Sequence, residues 1–172
     1  DPKGKFSLER FISAHSIMIS FEGVPAIYFN SLFGTSNDKA KYIITGNNRD
    51  LNRYRWNHKN INEKLKNKKS KQSIFYKSIT DLLEVRRKQK AFHPNGLRSN
   101  INMGPKIFCF KRQSVDKKQI IICITNLSSK TQSAKINNKF LRWKNLLDFR
   151  NNHISDKMIK LKPFQTIWLS NI

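Results

Sequence analysis

The sequence is poor in cysteine, and it has no long apolar run. Its two cysteines, Cys109 and Cys123, have a spacing that fits no metal-binding motif, and we expect both to be small core residues that stay reduced. No apolar stretch approaches the length of a membrane-spanning helix, about 18 residues. No signal peptide is recognisable either. We therefore predict a cytoplasmic protein without a membrane partner.

Histidine is also scarce, with four residues in the chain. His15 falls on the apolar face of a predicted helix, where we expect a core histidine with hydrogen-bonded ring nitrogens. His58, His93 and His153 are scattered and lack the spacing of metal ligands. We therefore predict no metal site.

Acidic residues are outnumbered by basic ones, with 11 Asp and Glu against 34 Lys and Arg and a formal net charge of +23. Such a charge is typical of proteins that bind nucleic acid or anionic membranes. The basic residues are nevertheless spread along the chain, with one cluster at Lys59–Lys71. Lysine, asparagine and isoleucine are abundant together, as AT-rich coding sequences produce. We interpret the charge as a solvated surface, so a nucleic-acid partner is not expected.

A nucleic-acid-binding protein is the alternative from another functional class. Aromatic and basic residues are interleaved in Arg53–Trp56, and such a segment can stack on bases while the lysines of the cluster neutralise phosphates. The sequence contains no recognised nucleic-acid-binding motif, and binding driven by charge would be weak and nonspecific.

The most informative segment is Gly23–Phe33, with the sequence GVPAIYFNSLF. Gly23 ends the preceding pattern, and Pro25 fits the first positions of a strand. Ala26–Phe29 is a continuous apolar run, as in parallel strands that are buried on both faces. We therefore predict a buried parallel strand over Val24–Phe29. Residues after the carboxyl end of such a strand lie on the face where these folds bind ligands.

Helical spacing of apolar residues is found on both sides of this strand. Ser7–Phe21 is predicted as an amphipathic helix with Ser7 as its N-cap. Ser73–Ala91 is predicted as a second helix, after a polar surface segment, Asn57–Gln72, that contains one short helix. The predicted apolar face of the first helix consists of Leu8, Phe11, Ile12, His15, Met18 and Ile19.

His93–Gly96 ends the second helical pattern, because proline cannot continue a helix and Asn-Gly favours a turn. Beyond it the period changes to that of strands, and we predict a small antiparallel β domain. The boundary placed at this turn divides the chain into residues 1–95 and residues 96–172. The predicted strands are Lys106–Arg112, Gln119–Asn126, Lys157–Leu161 and Gln165–Ser170.

The helix, strand and helix of residues 1–95 cannot by themselves close a parallel sheet or cover both of its faces. Each large apolar side chain left facing water forfeits about 1.5–3 kcal/mol of burial free energy. We therefore expect the chain to be the C-terminal part of a larger protein, whose missing N-terminal part completes the fold.

The order of these elements and four motifs resemble glycoside hydrolase family 13, the α-amylase superfamily. The motifs are GVPAIYF in residues 23–29, SLFGTSND in residues 31–38, TGNNRDLNR in residues 45–53 and LLEVRRKQKAFHPN in residues 82–95. Within the family the chain is similar to the sucrose phosphorylase branch, which includes sucrose 6'-phosphate and glucosylglycerate phosphorylases. The resemblance implies an α/β fold, the last part of a (β/α)8 barrel (helix 7, strand 8 and helix 8) followed by an antiparallel β domain.

The resemblance also implies a chemistry. An Asp nucleophile forms a glucosyl-enzyme, a Glu protonates the leaving group, and phosphate takes off the sugar as α-glucose 1-phosphate. The implied function is a retaining phosphorylase for sucrose or a related glucoside, with inorganic phosphate as co-substrate and no cofactor. A hydrolase of the same family, with water in place of phosphate, is the alternative in this class.

No catalytic residue maps to this chain, because the family's carboxylates lie on barrel strands four, five and seven, before Asp1. The acidic residues that are present fit structural positions. Glu22 lies in a turn, Asp38 lies in a loop, and Asp81 and Glu84 lie on a helix.

The resemblance implies one substrate-binding residue. Arg53, the last residue of RDLNR, matches an arginine that bonds sugar hydroxyls in the glucose subsite, and a planar guanidinium offers several fixed donors for this task. The alternatives for Arg53 are an ion pair with Asp50 or a plain surface position. Asn30, Asn48 and Asn52 share the region and are candidates for orienting polar groups nearby.

Overall fold

The computed structural model describes residues 4–148 and 157–172. These residues form two compact units. Unit 1 contains residues 26–81, and unit 2 contains residues 4–25 together with the described residues from 82 onward. These units do not test the domain boundary predicted between residues 95 and 96, which stays a prediction.

Helices and strands are numbered in chain order. The helices are α1 (Ser7–Ser20), α2 (Phe29–Leu32), α3 (Lys39–Thr45), α4 (His58–Lys66) and α5 (Lys71–Arg87), with 3₁₀ turns at Asn48–Leu51, Lys90–Phe92 and Asn138–Phe140. The strands are β1 (Leu97–Asn102), β2 (Ile107–Gln113), β3 (Ile120–Asn126), β4 (Gln132–Lys135), β5 (Lys144–Asn145), β6 (Met158–Leu161) and β7 (Thr166–Ser170).

Both long helices are found where the apolar spacing predicts them, as α1 and α5. The short helix predicted in the polar segment is α4, and the side chain of Asn57 caps it by accepting from the backbone N–H of Lys59. The prediction of Ser7 as the N-cap of α1 is wrong. Phe6 occupies that position and makes no side-chain capping bond, so Ser7 is the first residue of the helix.

The buried face of α1 differs from the predicted one. Ser13, Ser16 and Ser20 are buried together with Ile19, whereas the other residues of the predicted apolar face are only partly buried. Ser16 Oγ donates to the carbonyl of Ile12 at 2.8 Å, and Ser20 Oγ donates to that of Ser16 at 2.6 Å. Because the hydroxyls are paired within the helix and the side chains are small, α1 packs closely against β3.

The segment predicted as a parallel strand, Val24–Phe29, is not a strand in the structure. Residues 24–28 are neither helix nor strand, and α2 begins at Phe29. Val24 is 81% exposed and Tyr28 is 52% exposed. A parallel strand exists only where neighbouring strands supply its hydrogen bonds, and none of the described strands pairs with this segment. The predicted pairing and burial are therefore wrong for the described chain.

The strands of unit 2 form two antiparallel sheets. One sheet has five strands in the order β1-β2-β3-β7-β5, and the other pairs β4 with β6. The predicted strands are confirmed as β2, β3, β6 and β7, each within one residue at either end. Three strands were not predicted: β1 and β4, whose sequences LRSNIN and QSAK are mostly polar, and β5, which has two residues.

The core of unit 2 lies between these sheets. It consists of Ile107, Cys109, Ile122, Ile124, Ala134, Ile136, Leu161, Ile167 and Leu169. Burial raises the pKa of the Cys109 thiol to about 12. Cys123 is also buried, on the opposite face of the sheet, and burial raises the pKa of its thiol. Both thiols are free, so the prediction of two reduced core cysteines is confirmed.

Two buried arginines hold the C-terminal end of α1. Arg112 on β2 donates to the carbonyl of Ser20 at 2.8 Å. Arg86 on α5 donates to the carbonyls of Ile19 and Gly23, the latter at 2.9 Å. The last carbonyls of a helix have no partner inside the helix, so these guanidiniums satisfy groups that would otherwise be buried unpaired. Burial lowers the pKa of both arginines, which still stay charged at neutral pH.

The first prediction tests this arrangement. Arg112→Met keeps an unbranched side chain but removes the donors to the carbonyls of Ser20 and His93. We expect the free energy of unfolding to fall by about 3 kcal/mol, because a hydrogen bond from a charged group contributes about 1.5–3 kcal/mol. Urea denaturation measures the change. Lys160→Met, at an exposed position of β6, is the control and should change stability by less than about 0.5 kcal/mol. Equal losses in the two variants would contradict the assignment.

The core of unit 1 is built around an aromatic cluster. The ring of Phe33 stacks on that of Tyr76 at 5.8 Å and meets Trp56 edge-on at 6.4 Å. Gly34 follows with φ at +55°, and a Cβ at this position would lie 2.4 Å from Cδ1 of Phe75. The buried apolar residues of the unit are Phe33, Ile61, Phe75 and Ile79. Gly34 is therefore required both by its backbone conformation and by the ring that packs on it.

The second prediction compares two glycines of unit 1 that both have positive φ. Gly46→Ala introduces only the left-handed strain of about 1–2 kcal/mol, because nothing lies within 4 Å of the added Cβ. Gly34→Ala adds overpacking against Phe75, which costs about 1–3 kcal/mol more. Thermal and urea unfolding should therefore give Gly34→Ala a clearly lower free energy of unfolding than Gly46→Ala. Equal stability of the two variants would show that Phe75 moves aside without cost.

Candidate functional site

Arg53 lies in unit 1, two residues after the 3₁₀ turn Asn48–Leu51, in an exposed stretch that leads to α4. Among the described residues its guanidinium takes part in no ion pair. The N–H donors of the side chain are therefore available to a ligand.

Asn30 fixes the backbone on both sides of Arg53. Its Nδ2 donates to the carbonyl of Asn52 at 3.3 Å and to that of Tyr54 at 3.0 Å. The hydroxyl of Tyr28 donates to the same Asn52 carbonyl at 3.3 Å. Asn30 is only 6% exposed, so water competes little for these bonds. The position of the Arg53 backbone is therefore set by residues at the start of α2.

The three asparagines predicted to orient polar groups differ in what they do. Asn30 holds its neighbours through its side chain, and its Oδ1 is buried without a hydrogen-bond partner among the described residues. Asn52 is exposed and takes part through its backbone carbonyl. Asn48 begins the 3₁₀ turn and is also exposed. The prediction is therefore supported for Asn30 alone.

Asp50 is paired with Lys41, at 2.8 Å from its Nζ, and not with Arg53. A hydrogen bond from Lys41 lowers the pKa of the Asp50 carboxyl, and a second one from Thr45 lowers it further. The alternative in which Arg53 forms an ion pair with Asp50 is therefore wrong. A plain surface position agrees with the exposure of Arg53 in this structure, and the sugar-binding role stays a prediction.

Residues 38–51 form a closed loop that supports this region. The backbone N–H of Asp38 donates to the carbonyl of Leu51 at 2.7 Å. The Asp38 carboxylate accepts from the N–H of Lys41 at 3.0 Å and caps α3. Together with the ion pair of Lys41, these bonds join the two ends of the loop.

Several of the histidines and acidic residues singled out from the sequence have structural partners among the described residues. His15 Nδ1 lies 2.9 Å from the carbonyl of Phe11, as expected for a hydrogen-bonded core histidine, although the side chain is only partly buried. Glu22 accepts from Arg98 at 2.6 Å. Asp81 accepts from Lys77 at 2.9 Å. His153 lies outside the described residues, and within the described ones no group of three or more His, Cys, Asp or Glu is placed to hold a metal ion.

The segment proposed for nucleic-acid binding is partly packed. The Trp56 indole donates from Nε1 to Thr35 Oγ1 at 2.9 Å and belongs to the aromatic cluster around Phe33. Lys59, Lys64 and most other lysines of the cluster Lys59–Lys71 are exposed, as a solvated surface predicts. Over the described ranges, no helix has the length and apolar character needed to cross a membrane.

Tyr28 contributes to this site although no sequence pattern predicts it. Its hydroxyl reaches a carbonyl that lies 24 positions further along the chain. A tyrosine in an apolar run is typical of a buried strand, and no local pattern indicates so distant a partner. The nearest signal is the polar Asn30 at the end of that run.

The third prediction concerns the side chain of Asn30. Asn30→Asp replaces the two N–H donors by an acceptor, which then faces the carbonyl oxygens of Asn52 and Tyr54. We expect a loss of about 2 kcal/mol in the free energy of unfolding at neutral pH, because a buried acceptor and its former partners lose their hydrogen bonds. Urea denaturation gives the value. Asn37→Asp makes the same change at an exposed position and should leave stability within about 0.5 kcal/mol. A similar loss in both variants would contradict the role of Asn30.

The chain is similar to known phosphorylases, although no model of a known protein family matches it. The glucosylglycerate phosphorylase of Spirochaeta thermophila is 31% identical over 119 residues, which is 69% of this chain and 20% of that protein. The glucosylglycerate phosphorylase of Escherichia coli K12 is 31% identical over 166 residues, which is 93% of this chain and 28% of that protein. The chain thus spans less than a third of the length of either relative.

The fold is shared with trehalulose synthase. A variant of that enzyme in complex with Tris gives a TM-score of 0.73 at 12% identity, over 99% of this chain and 40% of the other. The trehalulose synthase of Pseudomonas mesoacidophila MX-45 gives a TM-score of 0.68 at 12% identity, over 94% of this chain and 38% of that one. The likeness confirms the predicted fold class, the last part of a (β/α)8 barrel followed by an antiparallel β domain. Together with the phosphorylase relatives, the likeness supports the resemblance of this chain to the C-terminal part of sucrose phosphorylase-like members of glycoside hydrolase family 13.

Proposed function

We propose that this chain is the C-terminal part of a retaining phosphorylase, which transfers an α-glucosyl unit from a glucoside to inorganic phosphate and releases glucose 1-phosphate. The observation that carries the proposal is the similarity to a glucosylglycerate phosphorylase over 93% of the chain. Glucosylglycerate is the favoured glucoside for the same reason. Sucrose and sucrose 6'-phosphate are the other candidates, and the enzyme works in the cytoplasm with phosphate as co-substrate and no cofactor.

Arg53 is the residue of this chain that binds the glucosyl unit. Its guanidinium stays charged at any working pH and gives hydroxyl oxygens several donors in a fixed plane. Asn30 holds the backbone on either side, at Asn52 and Tyr54, which reduces the entropy lost when the side chain binds sugar. The nucleophile and the general acid come from the rest of the barrel.

The partner of this chain in such an enzyme is the N-terminal part of the barrel. Val24, Tyr28 and Phe29 are 81%, 52% and 56% exposed, although they belong to an apolar run. A cavity of about 790 Å³ in unit 2 has Val24, Pro25 and Phe92 in its walls. Burying each large apolar side chain contributes about 1.5–3 kcal/mol, so these surfaces favour contact with further barrel elements.

The fourth prediction is an activity assay. A hybrid is made in which this chain replaces the matched region of the Escherichia coli glucosylglycerate phosphorylase. We expect release of glucose 1-phosphate that depends on phosphate. Arg53→Ala should lower kcat/KM about ten- to a hundredfold, because it removes a charge-assisted hydrogen bond of about 1.5–3 kcal/mol. Steady-state kinetics with glucosylglycerate and with sucrose give the values.

Arg55→Ala is the matched control, since Arg55 is an exposed arginine two positions away in the same segment. It should stay within about threefold of the parent hybrid, as is usual for surface substitutions. Equal activity of the parent and Arg53→Ala would remove Arg53 from the site. Release of free glucose without any phosphate dependence would favour the hydrolase alternative. A folded hybrid that acts on neither glucoside would contradict the proposed function.

A further inference from the structure

A cavity of about 550 Å³ lies in unit 2, beside the end of β1 and along β4. Its volume falls in the range of about 300–1,000 Å³ that is usual for small-molecule sites. The apolar side of the cavity consists of Ile101, Met103, Ala134 and Phe140, which belong to the core of the unit or pack against it. Because the core supports these side chains, they form an apolar floor that is in place before any ligand binds.

The charged part of the lining is basic. Lys135 and Lys139 are both exposed, and no Asp or Glu occurs in the described lining. Neither lysine forms an ion pair with any residue that the structure describes. Lys139 Nζ lies 5.1 Å from the centroid of the Phe140 ring, so this ammonium borders the apolar floor. Two ammonium groups without a carboxylate partner, next to an apolar surface, favour a ligand that carries negative charge.

The uncharged polar groups of the cavity leave donors free. Asn102 Oδ1 accepts from the backbone N–H of Gly104 at 3.0 Å, and Asn137 Oδ1 accepts from that of Lys139 at 3.1 Å. Within the described chain, the Nδ2 groups of both amides and the hydroxyl of Ser133 have no hydrogen-bond partner. An amide nitrogen only donates, and a hydroxyl can donate. An anion with several acceptor oxygens therefore satisfies this set of groups.

We propose that this cavity binds a phosphate monoester with an apolar organic group. Such a phosphate carries a charge of about −1.5 to −2 at pH 7 and has three acceptor oxygens, so it matches two ammoniums and the free N–H and O–H donors. A carboxylate has one charge and two oxygens and would use fewer of these donors. The phosphate contacts Lys135 and Lys139, and the organic group lies on Met103 and Phe140. This site in unit 2 does not depend on the sugar chemistry proposed for Arg53.

Isothermal titration of the 172-residue chain with phenyl phosphate, at fixed ionic strength, tests the site. The double variant Lys135→Gln with Lys139→Gln should raise the Kd at least about tenfold, because it removes both ammoniums. Inorganic phosphate should bind the parent chain at least about fivefold more weakly than phenyl phosphate, since it has no group that contacts the apolar floor. Phenylacetate should also bind more weakly, because its carboxylate has a single charge.

The double variant Lys117→Gln with Lys118→Gln is the matched control. It removes the same two charges at exposed lysines that do not line the cavity. These lysines follow the end of β2, whereas Asn102 of the cavity pairs with Phe108 near the start of that strand. The Kd of the control should stay within about twofold of the parent value. Circular dichroism establishes that each variant is folded, and the same titrations on the hybrid enzyme make the result independent of the folding of the isolated chain.

Saturable binding of phenyl phosphate that is lost on substitution of Lys135 and Lys139 and kept in the control supports the site. Absence of saturable binding to the folded parent protein overturns it. An equal loss in the two double variants also overturns it, because the net charge of the chain would then be sufficient to attract the anion. Equal affinities for phenyl phosphate and inorganic phosphate would show that the apolar floor takes no part, which contradicts the proposed ligand class.

Discussion

The buried end of α1 needs hydrogen-bond donors that its own backbone cannot supply, and the organisation of unit 2 depends on how they are provided. Arg86 from α5 and Arg112 from β2 reach this end from different parts of the chain. Both guanidiniums also lie near the ring of Phe92, at 5.7 and 5.9 Å from its centroid. No Asp or Glu is buried among the described residues. The two positive charges are therefore stabilised by carbonyl dipoles and by an aromatic face.

The fold class and most elements follow from the sequence because they depend on local periodicity. The apolar spacing of α5 and the β-branched or aromatic runs of β2, β3 and β7 place each element within a few residues. Val24–Phe29 is the exception, because a strand depends on neighbouring strands that the segment itself does not encode. The serine face of α1 is a related case, because periodicity counts serine as polar while close helix packing favours small side chains.

The candidate site is predictable in part. The motif RDLNR singles out Arg53 through its resemblance to a family, and the polar loop after an apolar run indicates the region. The support beneath it is not predictable, because Asn30 reaches carbonyls 22 and 24 positions away, and pairs at such a distance leave no local pattern. For the same reason Arg86 and Arg112 look like surface residues in the sequence, although each is less than 10% exposed.

The strand order of the large sheet has a consequence for synthesis. β7 lies between β3 and β5, yet it is the last of the described strands to be made. Until it arrives, β3 presents an open edge with Ile121, Ile122 and Ile124, and β5 has no partner. Open apolar edges invite pairing with other chains. We therefore expect an unfinished copy of this polypeptide to expose an edge that favours aggregation, and the exposed lysines of unit 2 to oppose it by charge repulsion.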